Sequence, residues 1–134
     1  MLPKETVAVL VVDDEPVFRR GLERLLTDHG YEAVLAENGE RALALMKQRR
    51  FDLILCDFRL PDIDGLGILV HLKQSGCTTP FLLLTAYYSE LFAQSAISLG
   101  AAAVFEKPVR LEDLLRNCEI ALGRRGAVRN RAGS

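Results

Sequence analysis

The sequence predicts an α/β fold in which a five-stranded parallel sheet is covered by helices on both faces. Five short runs rich in apolar and β-branched residues alternate with five longer stretches that have helical periodicity. Three of the short runs are almost entirely apolar, which is typical of strands buried on both faces of a parallel sheet. This alternation predicts right-handed crossovers and a doubly wound sheet.

The first half of the chain shows two strand–helix units. The first strand is predicted at Val7–Val12, and Pro16 follows it at the position of a first helical residue. Gly30 is expected to end this helix, and the second strand is predicted at Glu32–Ala36. Asn38 can cap a second helix, because a short polar side chain there accepts a hydrogen bond from the first turn.

The third and fourth units carry the same signals. A strand is predicted at Leu53–Cys56, with Asp64 as the cap of the following helix. Another strand is predicted at Phe81–Leu84, and Ser89 is the expected cap of the fourth helix, whose apolar face should include Ile97.

The fifth unit has the most regular helix. A short strand is predicted at Ala103–Phe105, and the apolar residues from Leu111 to Leu122 recur on one helical face. Gly123 is expected to end the helix.

Composition indicates one soluble domain. The chain has 134 residues, 49% hydrophobic and 26% charged, and a net charge of −1, so it offers no overall attraction to nucleic acid or an anionic membrane. The sequence shows no membrane span and no signal peptide, and a cytoplasmic location is expected. Cys56, Cys77 and Cys118 lack a CxxC spacing and fit a reducing compartment, while His29 and His71 lack metal-ligand spacing.

Polar side chains follow four of the five predicted strands. Asp13 and Asp14 come after the first, Asp57 after the third, Thr85 after the fourth and Lys107 after the fifth. Because ligand sites of open parallel sheets lie beyond the carboxyl ends of the strands, these side chains are expected to meet at one edge. Three carboxylates there suit Mg²⁺ or Mn²⁺, and the lysine and hydroxyl can bind an oxyanion. The constellation therefore favours phosphoryl transfer to a carboxylate.

Four short blocks resemble one family. They are VDDEP at Val12–Pro16, CDFRLPDIDG at Cys56–Gly65, TA at Thr85–Ala86 and EKP at Glu106–Pro108. In this order, and after these strands, they resemble the receiver domain of bacterial two-component response regulators over Val7 to Leu122. The resemblance implies a flavodoxin-like (βα)5 fold and a domain at residues 1–123, followed by a flexible basic tail or linker at residues 124–134.

The resemblance also implies roles for the acidic residues. Asp57 would be the phospho-acceptor nucleophile. Asp14, Asp57 and the backbone carbonyl of Arg59 would bind the metal directly, and Asp13 would act through a metal-bound water. By contrast, Glu15 is expected only to charge the start of the first helix. The pair of acids in the sequence DID at residues 62–64 is expected to cap and charge the third helix.

The switch residues are implied in the same way. Lys107 would pair with the phosphoryl oxygens, Thr85 would move towards them, and the Lys107–Pro108 peptide bond would be cis. Receivers commonly carry Tyr or Phe three residues before this lysine, but here that residue is Val104, and Phe105 follows it. Strand alternation predicts that these two side chains face opposite sides of the sheet, which puts the usual threonine–aromatic coupling in question.

Two further residues are expected to tune the phosphoryl lifetime. Arg59 lies two residues after Asp57, and Tyr87 lies two residues after Thr85. In the family these positions border the solvent side of the phosphoryl group. A guanidinium there can hold an oxygen, and a ring can screen the attacking water.

The implied partners are a sensor histidine kinase or a histidine phosphotransfer protein, and an output domain or downstream protein. The output is expected through the fourth and fifth helices, with a phosphorylation-dependent homodimer as one form, and without direct binding of nucleic acid by this domain. The sequence leaves open whether the chain acts alone or within a longer regulator.

The sequence argues against three other functions. A pseudo-receiver would act by docking alone, but none of the acids, the threonine or the lysine is lost. A Mg²⁺-dependent phosphohydrolase would need a second acid two residues after the nucleophile, where Arg59 stands. A nucleotide- or flavin-binding fold would need a glycine- or hydroxyl-rich loop after the first strand, where DDEP would instead repel phosphate in the absence of a metal ion.

Overall fold

The computed structural model describes residues 6–123, and in them the five strands alternate with the five helices. Residues 1–5 and the predicted tail at residues 124–134 lie outside the described residues. In chain order the elements are β1 (Ala8–Val12), α1 (Pro16–Asp28), β2 (Glu32–Ala36), α2 (Gly39–Gln48), β3 (Leu53–Asp57), α3 (Gly65–Gln74), β4 (Phe81–Thr85), α4 (Glu90–Ser98), β5 (Ala103–Glu106) and α5 (Leu111–Ala121).

The strands form one parallel sheet in the order β2-β1-β3-β4-β5. Every residue of the interior strands β1, β3 and β4 is buried, whereas the edge strands β2 and β5 are mostly half-buried or exposed. The α/β class and the doubly wound sheet are therefore confirmed, and the apolar runs mark the strands covered on both faces.

Each face of the sheet has its own core. Leu22 of α1 and Leu114 of α5 pack on one face, and Leu45 of α2, Leu69 of α3 and Ala96 of α4 pack on the other. Because all five strands run parallel, their carboxyl ends lie along one edge of the sheet. None of the helices within residues 6–123 has the length and apolarity that crossing a bilayer demands.

The three predicted caps are present. The side chains of Asn38, Asp64 and Ser89 accept hydrogen bonds from the backbone N–H groups three residues further on. Ile97 was predicted on the buried face of α4, but its side chain is 52% exposed, because the small residues Ala93 and Ala96 make that contact instead.

Asp62 differs from its predicted role at the start of α3. Its Oδ1 accepts a hydrogen bond from Gly39 N and its Oδ2 accepts one from Glu40 N, both at 2.8 Å. Asp62 therefore caps α2, and only Asp64 caps α3. A Cβ on Gly39 would clash with Ile63, so only glycine permits this close approach of the loop to α2.

Candidate functional site

The predicted polar side chains are brought to the carboxyl edge of the sheet by their strands. Asp13 follows β1, and Asp57 and Thr85 are the last residues of β3 and β4, one residue beyond the predicted strand ends. Lys107 follows β5, and its backbone N–H donates to Thr85 O at 2.8 Å, which continues the pairing of the two strands past β5. The parallel pairing thus places groups that are distant in sequence side by side.

Three aspartates form an acidic cluster. Carboxylate oxygens of Asp13, Asp14 and Asp57 lie within 4.8 Å of one another. Asp13 and Asp57 are buried, whereas Asp14 is exposed. The loop that carries Asp13 is fixed by hydrogen bonds to Asp13 Oδ1 from Glu15 N at 2.8 Å and to Asp13 O from Arg19 Nη1 at 2.7 Å.

Lys107 supplies the positive charge of the site. Its ammonium lies 3.0 Å from Asp13 Oδ2 and 3.4 Å from Asp57 Oδ1, and its side chain is 18% exposed. The peptide bond between Lys107 and Pro108 is cis. One lysine therefore pairs with two buried carboxylates, and the exposed Asp14 adds a third negative charge to the cluster.

The protonation equilibria reflect this imbalance of charge. Burial raises the pKa of Asp57 to about 6, Lys107 opposes that shift, and the charges of Asp13 and Asp14 add to it. Burial also lowers the pKa of Lys107, but the hydrogen bond and charge of Asp13, together with Asp57, outweigh it and raise the pKa overall. The cluster holds more negative charge than the lysine neutralises.

This chemistry fits a divalent cation. Mg²⁺ and Mn²⁺ prefer oxygen ligands, and the three carboxylates are close enough to share one ion. Burial, with the charges of Asp13 and Asp14, raises the pKa of Asp57, and a cation beside it would favour the ionised form. Asp13, Asp14 and Asp57 are therefore a candidate metal centre.

Thr85, Tyr87 and Arg59 lie together beside this centre. The Thr85 side chain is fully buried, and its Oγ1 accepts a hydrogen bond from Tyr87 N at 2.9 Å. The Arg59 guanidinium carbon lies 5.2 Å from the centroid of the Tyr87 ring, in a cation–π contact. The two predicted tuning residues thus contact each other across the ends of β3 and β4.

Val104 and Phe105 point to opposite faces of the sheet. Val104 packs with the core of α2, α3 and α4, and Phe105 packs with the core of α1 and α5. On the Val104 side, the rings of Phe58 and Phe92 meet edge to face with centroids 5.0 Å apart. An aromatic contact therefore connects the residue after Asp57 to α4, a link that was not predicted because the two residues are 34 positions apart.

Two contacts of α1 with the site were also not predicted. Arg19 donates to the carbonyl of Asp13, and the Lys107 ammonium lies 4.7 Å from the centroid of the Phe18 ring. Phe18 follows the apolar periodicity of α1, and its partly buried ring packs against the core on that face of the sheet. Periodicity assigns Phe18 to one face of α1, but it does not show that Lys107, which follows β5, reaches the Phe18 ring.

The parallel sheet, with polar groups gathered at the carboxyl ends of its strands, is typical of the receiver domains of two-component systems. The family model of the response regulator receiver domain matches residues 9–119, and the chain belongs to that family.

Individual relatives of the chain are also response regulators and a transcriptional regulatory protein. The chain is 36% identical over 118 residues to the transcriptional regulatory protein ZraR of Escherichia coli O157:H7, covering 88% of this chain and 27% of ZraR. It is also 36% identical over 118 residues to the response regulator MprA of Mycobacterium sp. strain KMS, covering 88% of this chain and 51% of MprA. The solved chemotaxis response regulator CheY4 of Vibrio cholerae superposes with a TM-score of 0.82 at 31% identity, covering 87% of this chain and 99% of CheY4. The chain thus spans about a quarter of ZraR and about half of MprA.

Proposed function

We propose that this receiver domain is a phosphorylation-dependent switch in which Asp57 accepts the phosphoryl group. The observation that carries the proposal is the convergence of Asp57 with two further aspartates, Lys107 and Thr85 at the carboxyl ends of four parallel strands. A carboxylate nucleophile, positive charge from a lysine and a metal ion, and a hydroxyl are the parts that transfer of a phosphoryl group requires.

The transfer makes one bond and breaks one. A carboxylate oxygen of Asp57 bonds to phosphorus, and the P–N bond of a phosphohistidine breaks. The imidazole nitrogen leaves with the electron pair and takes up a proton. Asp57 must attack in its ionised form, and the nearby Lys107 ammonium favours that form. The same ammonium then lies within reach of the phosphoryl oxygens.

The metal would be held by carboxylates of Asp14 and Asp57 and by the backbone carbonyl of Arg59, with Asp13 acting through water. Bound Mg²⁺ or Mn²⁺ supplies positive charge that neutralises the oxygens of the transferring group. Asp13 is held in place by Lys107, by Glu15 N and by its own backbone hydrogen bond. It would therefore remain a fixed, buried member of the cluster.

Thr85 would report the modification. Its hydroxyl oxygen accepts from Tyr87 N, which leaves the hydroxyl hydrogen free to turn towards a phosphoryl oxygen. The output would then change at the surface of α4, β5 and α5. Arg59 and Tyr87 would slow the loss of the phosphoryl group.

The partners follow from this chemistry. A sensor histidine kinase or a histidine phosphotransfer protein would supply the phosphoryl group to a cytoplasmic receiver within residues 1–123. Because ZraR and MprA are longer than this chain, an output domain, a downstream protein or a phosphorylation-dependent homodimer would receive the signal.

The test is the intact mass of the protein after incubation with acetyl phosphate, with and without Mg²⁺. We expect one phosphoryl group to be gained only with Mg²⁺, and to be removed by hydroxylamine, which attacks acyl phosphates. Asp57→Asn should abolish the gain because an amide is a poor nucleophile. Asp113→Asn is the matched control, since the half-exposed Asp113 carboxylate pairs with Arg116 on α5, away from the acidic cluster.

The alternatives give different results. A phosphoryl group that is still gained by Asp57→Asn would place the nucleophile elsewhere. No gain in a folded protein that binds Mg²⁺ would contradict phosphorylation by small donors and favour a docking role.

A further inference from the structure

The Lys107 ammonium is held on three sides, and one of them is an aromatic ring. Asp13 Oδ2 lies at 3.0 Å, Asp57 Oδ1 at 3.4 Å, and the centroid of the Phe18 ring at 4.7 Å. This distance is within the range of a cation–π contact, in which the electron-rich face of the ring attracts a cation.

The ring is itself fixed in place. Phe18 lies in the first turns of α1 and packs with the core that α1 and α5 form on that face of the sheet. Lys107 has a flexible side chain, and its backbone is anchored by a hydrogen bond from Lys107 N to Thr85 O at 2.8 Å. The backbone hydrogen bond therefore fixes the base of the Lys107 side chain, and the contact with Phe18 helps to fix the position of its ammonium group.

A ring differs from a carboxylate in what it leaves available. A third acid beside Lys107 would compete with an incoming phosphoryl group for the ammonium, whereas a ring attracts the ammonium without neutralising its charge and without a carboxylate oxygen to accept its N–H groups. When Asp57 is phosphorylated, one of its oxygens is taken up in the new bond. The contact with Phe18 requires no change at that moment, so the ammonium keeps a fixed neighbour while its hydrogen bonds move to the phosphoryl oxygens.

We propose that Phe18 is a positioning residue for phosphoryl transfer: the face of its ring holds the Lys107 ammonium at the acidic cluster. This inference rests on the proposed function, since it assigns Phe18 a part in the phosphorylation of Asp57. The proposed role depends on the negative electrostatic potential of the ring face and not on the volume of the ring. These two properties can be varied separately.

The test replaces Phe18 by phenylalanines with increasing ring fluorination, which weakens the negative face of the ring while nearly preserving its shape. The second-order rate constant of phosphorylation by acetyl phosphate is measured at saturating Mg²⁺ from the time course of intact mass. We expect a graded decrease that reaches roughly twofold to fivefold for the pentafluorinated ring, as for a partly exposed cation–π contact. Phe18→Tyr should retain the rate, and Phe18→Leu should lose it to a similar extent.

The chain provides a matched control. The Arg49 guanidinium carbon lies 4.9 Å from the centroid of the Phe51 ring, just before β3 and so at the opposite edge of the sheet from Asp57. Pentafluorination at Phe51 perturbs a cation–π contact of the same kind and should leave the rate unchanged.

Each outcome separates the two proposals. A rate that is insensitive to fluorination at Phe18 would overturn the positioning role, including the case in which Phe18→Leu alone is slow, because the ring would then only fill space. A rate that falls equally on fluorination at Phe51 would also overturn it. Failure of the proposed function is recognised independently, by mass gained in Asp57→Asn or by no gain in the unmodified protein.

Discussion

The position of Asp57 at the end of the interior strand β3 disfavours the ionised form of its side chain. The residue is 7% exposed and faces two other aspartates. Lys107 compensates only in part, so the pKa of Asp57 remains raised, at about 6. Loss of hydration suits the nucleophile role that we propose for Asp57, and the excess negative charge of the three aspartates attracts a cation. The buried position of Asp57 beside two other acids thus suits both the proposed reaction and the binding of a cation.

Tyr87 contacts Thr85 through its backbone and Arg59 through its ring. Its backbone N–H binds the hydroxyl of Thr85, while its ring, which is 63% exposed, contacts Arg59. We predict that Tyr87→Ala shortens the lifetime of the aspartyl phosphate roughly twofold to fivefold, because Arg59 loses the ring that orders it and water gains access. The measurement is the decay of phosphorylated mass after acetyl phosphate is removed.

Tyr87→Phe is the control for this prediction. It keeps the ring and the backbone N–H, so the lifetime should match that of the unmodified protein. An equal decay rate in Tyr87→Ala would show that the ring does not protect the phosphoryl group.

At the scale of elements, β5 departs from the usual pattern of the family by one residue. Val104 pairs in register with Leu83 and lies on the α4 side, whereas Phe105 lies on the α1 and α5 side. We predict that Val104→Tyr strengthens the response, because a ring on the α4 side can follow the movement of Thr85. The measurement is the phosphorylation-dependent shift of α4 amide signals in NMR, which should exceed that of the unmodified protein.

Phe105→Tyr is the matched variant for β5, since it places a hydroxylated ring on the opposite face. Its shifts in α4 should equal those of the unmodified protein. If Val104→Tyr gave no larger shift either, α4 would be coupled to Asp57 by another route, for which the contact between Phe58 and Phe92 is the nearest connection.

The loop between β3 and α3 is attached to a different helix. Asp62 receives hydrogen bonds from Gly39 N and Glu40 N, and the bond from Gly39 N is the main cause that lowers the pKa of Asp62. We predict that Asp62→Ala lowers the free energy of unfolding by about 1 kcal/mol, as for loss of a helix cap. Amide hydrogen exchange should accelerate at Gly39 and Glu40.

Ser89→Ala is the comparison for the loop, because it removes a cap of α4 with a local partner, Phe92 N. It should accelerate exchange in α4 and leave α2 unchanged. If Asp62→Ala left the α2 amides protected, the capping of α2 by Asp62 would be wrong.

The sequence allowed the strands, the caps and the polar strand ends to be predicted, because each depends on residues close together in the chain. The predicted strand ends differ from the observed ones by at most one residue. The partner of Asp62 and the ring beside Lys107 were not predictable in this way, since both contacts join elements that only the tertiary fold brings together. Ile97 was placed wrongly because helical periodicity does not show which side of a short helix meets the sheet.

At the scale of the whole molecule, acidic groups with opposite pKa shifts determine how stability depends on pH. Asp57 has a raised pKa, so the folded protein binds more protons than the unfolded chain between about pH 4 and pH 6, and stability falls as the pH rises through that window. The pKa values of Asp62 and Glu32 are lowered by hydrogen bonds, chiefly from Gly39 N and from Arg49, so they stabilise the fold above the ordinary carboxyl range and are lost in stronger acid. Between pH 5 and pH 7.5 the contribution of Asp57 therefore dominates.

We predict that, without divalent metal, the free energy of unfolding falls by about 1 kcal/mol between pH 5 and pH 7.5 because Asp57 ionises in a site that penalises its charge. In Asp57→Asn this decrease should disappear, and the variant should be about 2 kcal/mol more stable than the unmodified protein at pH 7.5. Urea denaturation at both pH values measures the effect, and Asp113→Asn, on an exposed face of α5, should retain the decrease. At the same Mg²⁺ concentration, the unmodified protein should be stabilised at pH 7.5 more than Asp57→Asn, because stabilisation by a ligand that binds only the folded state increases with the logarithm of its affinity. An equal decrease with pH in Asp57→Asn would show that another group carries the dependence, and equal stabilisation by Mg²⁺ would remove Asp57 from the metal centre.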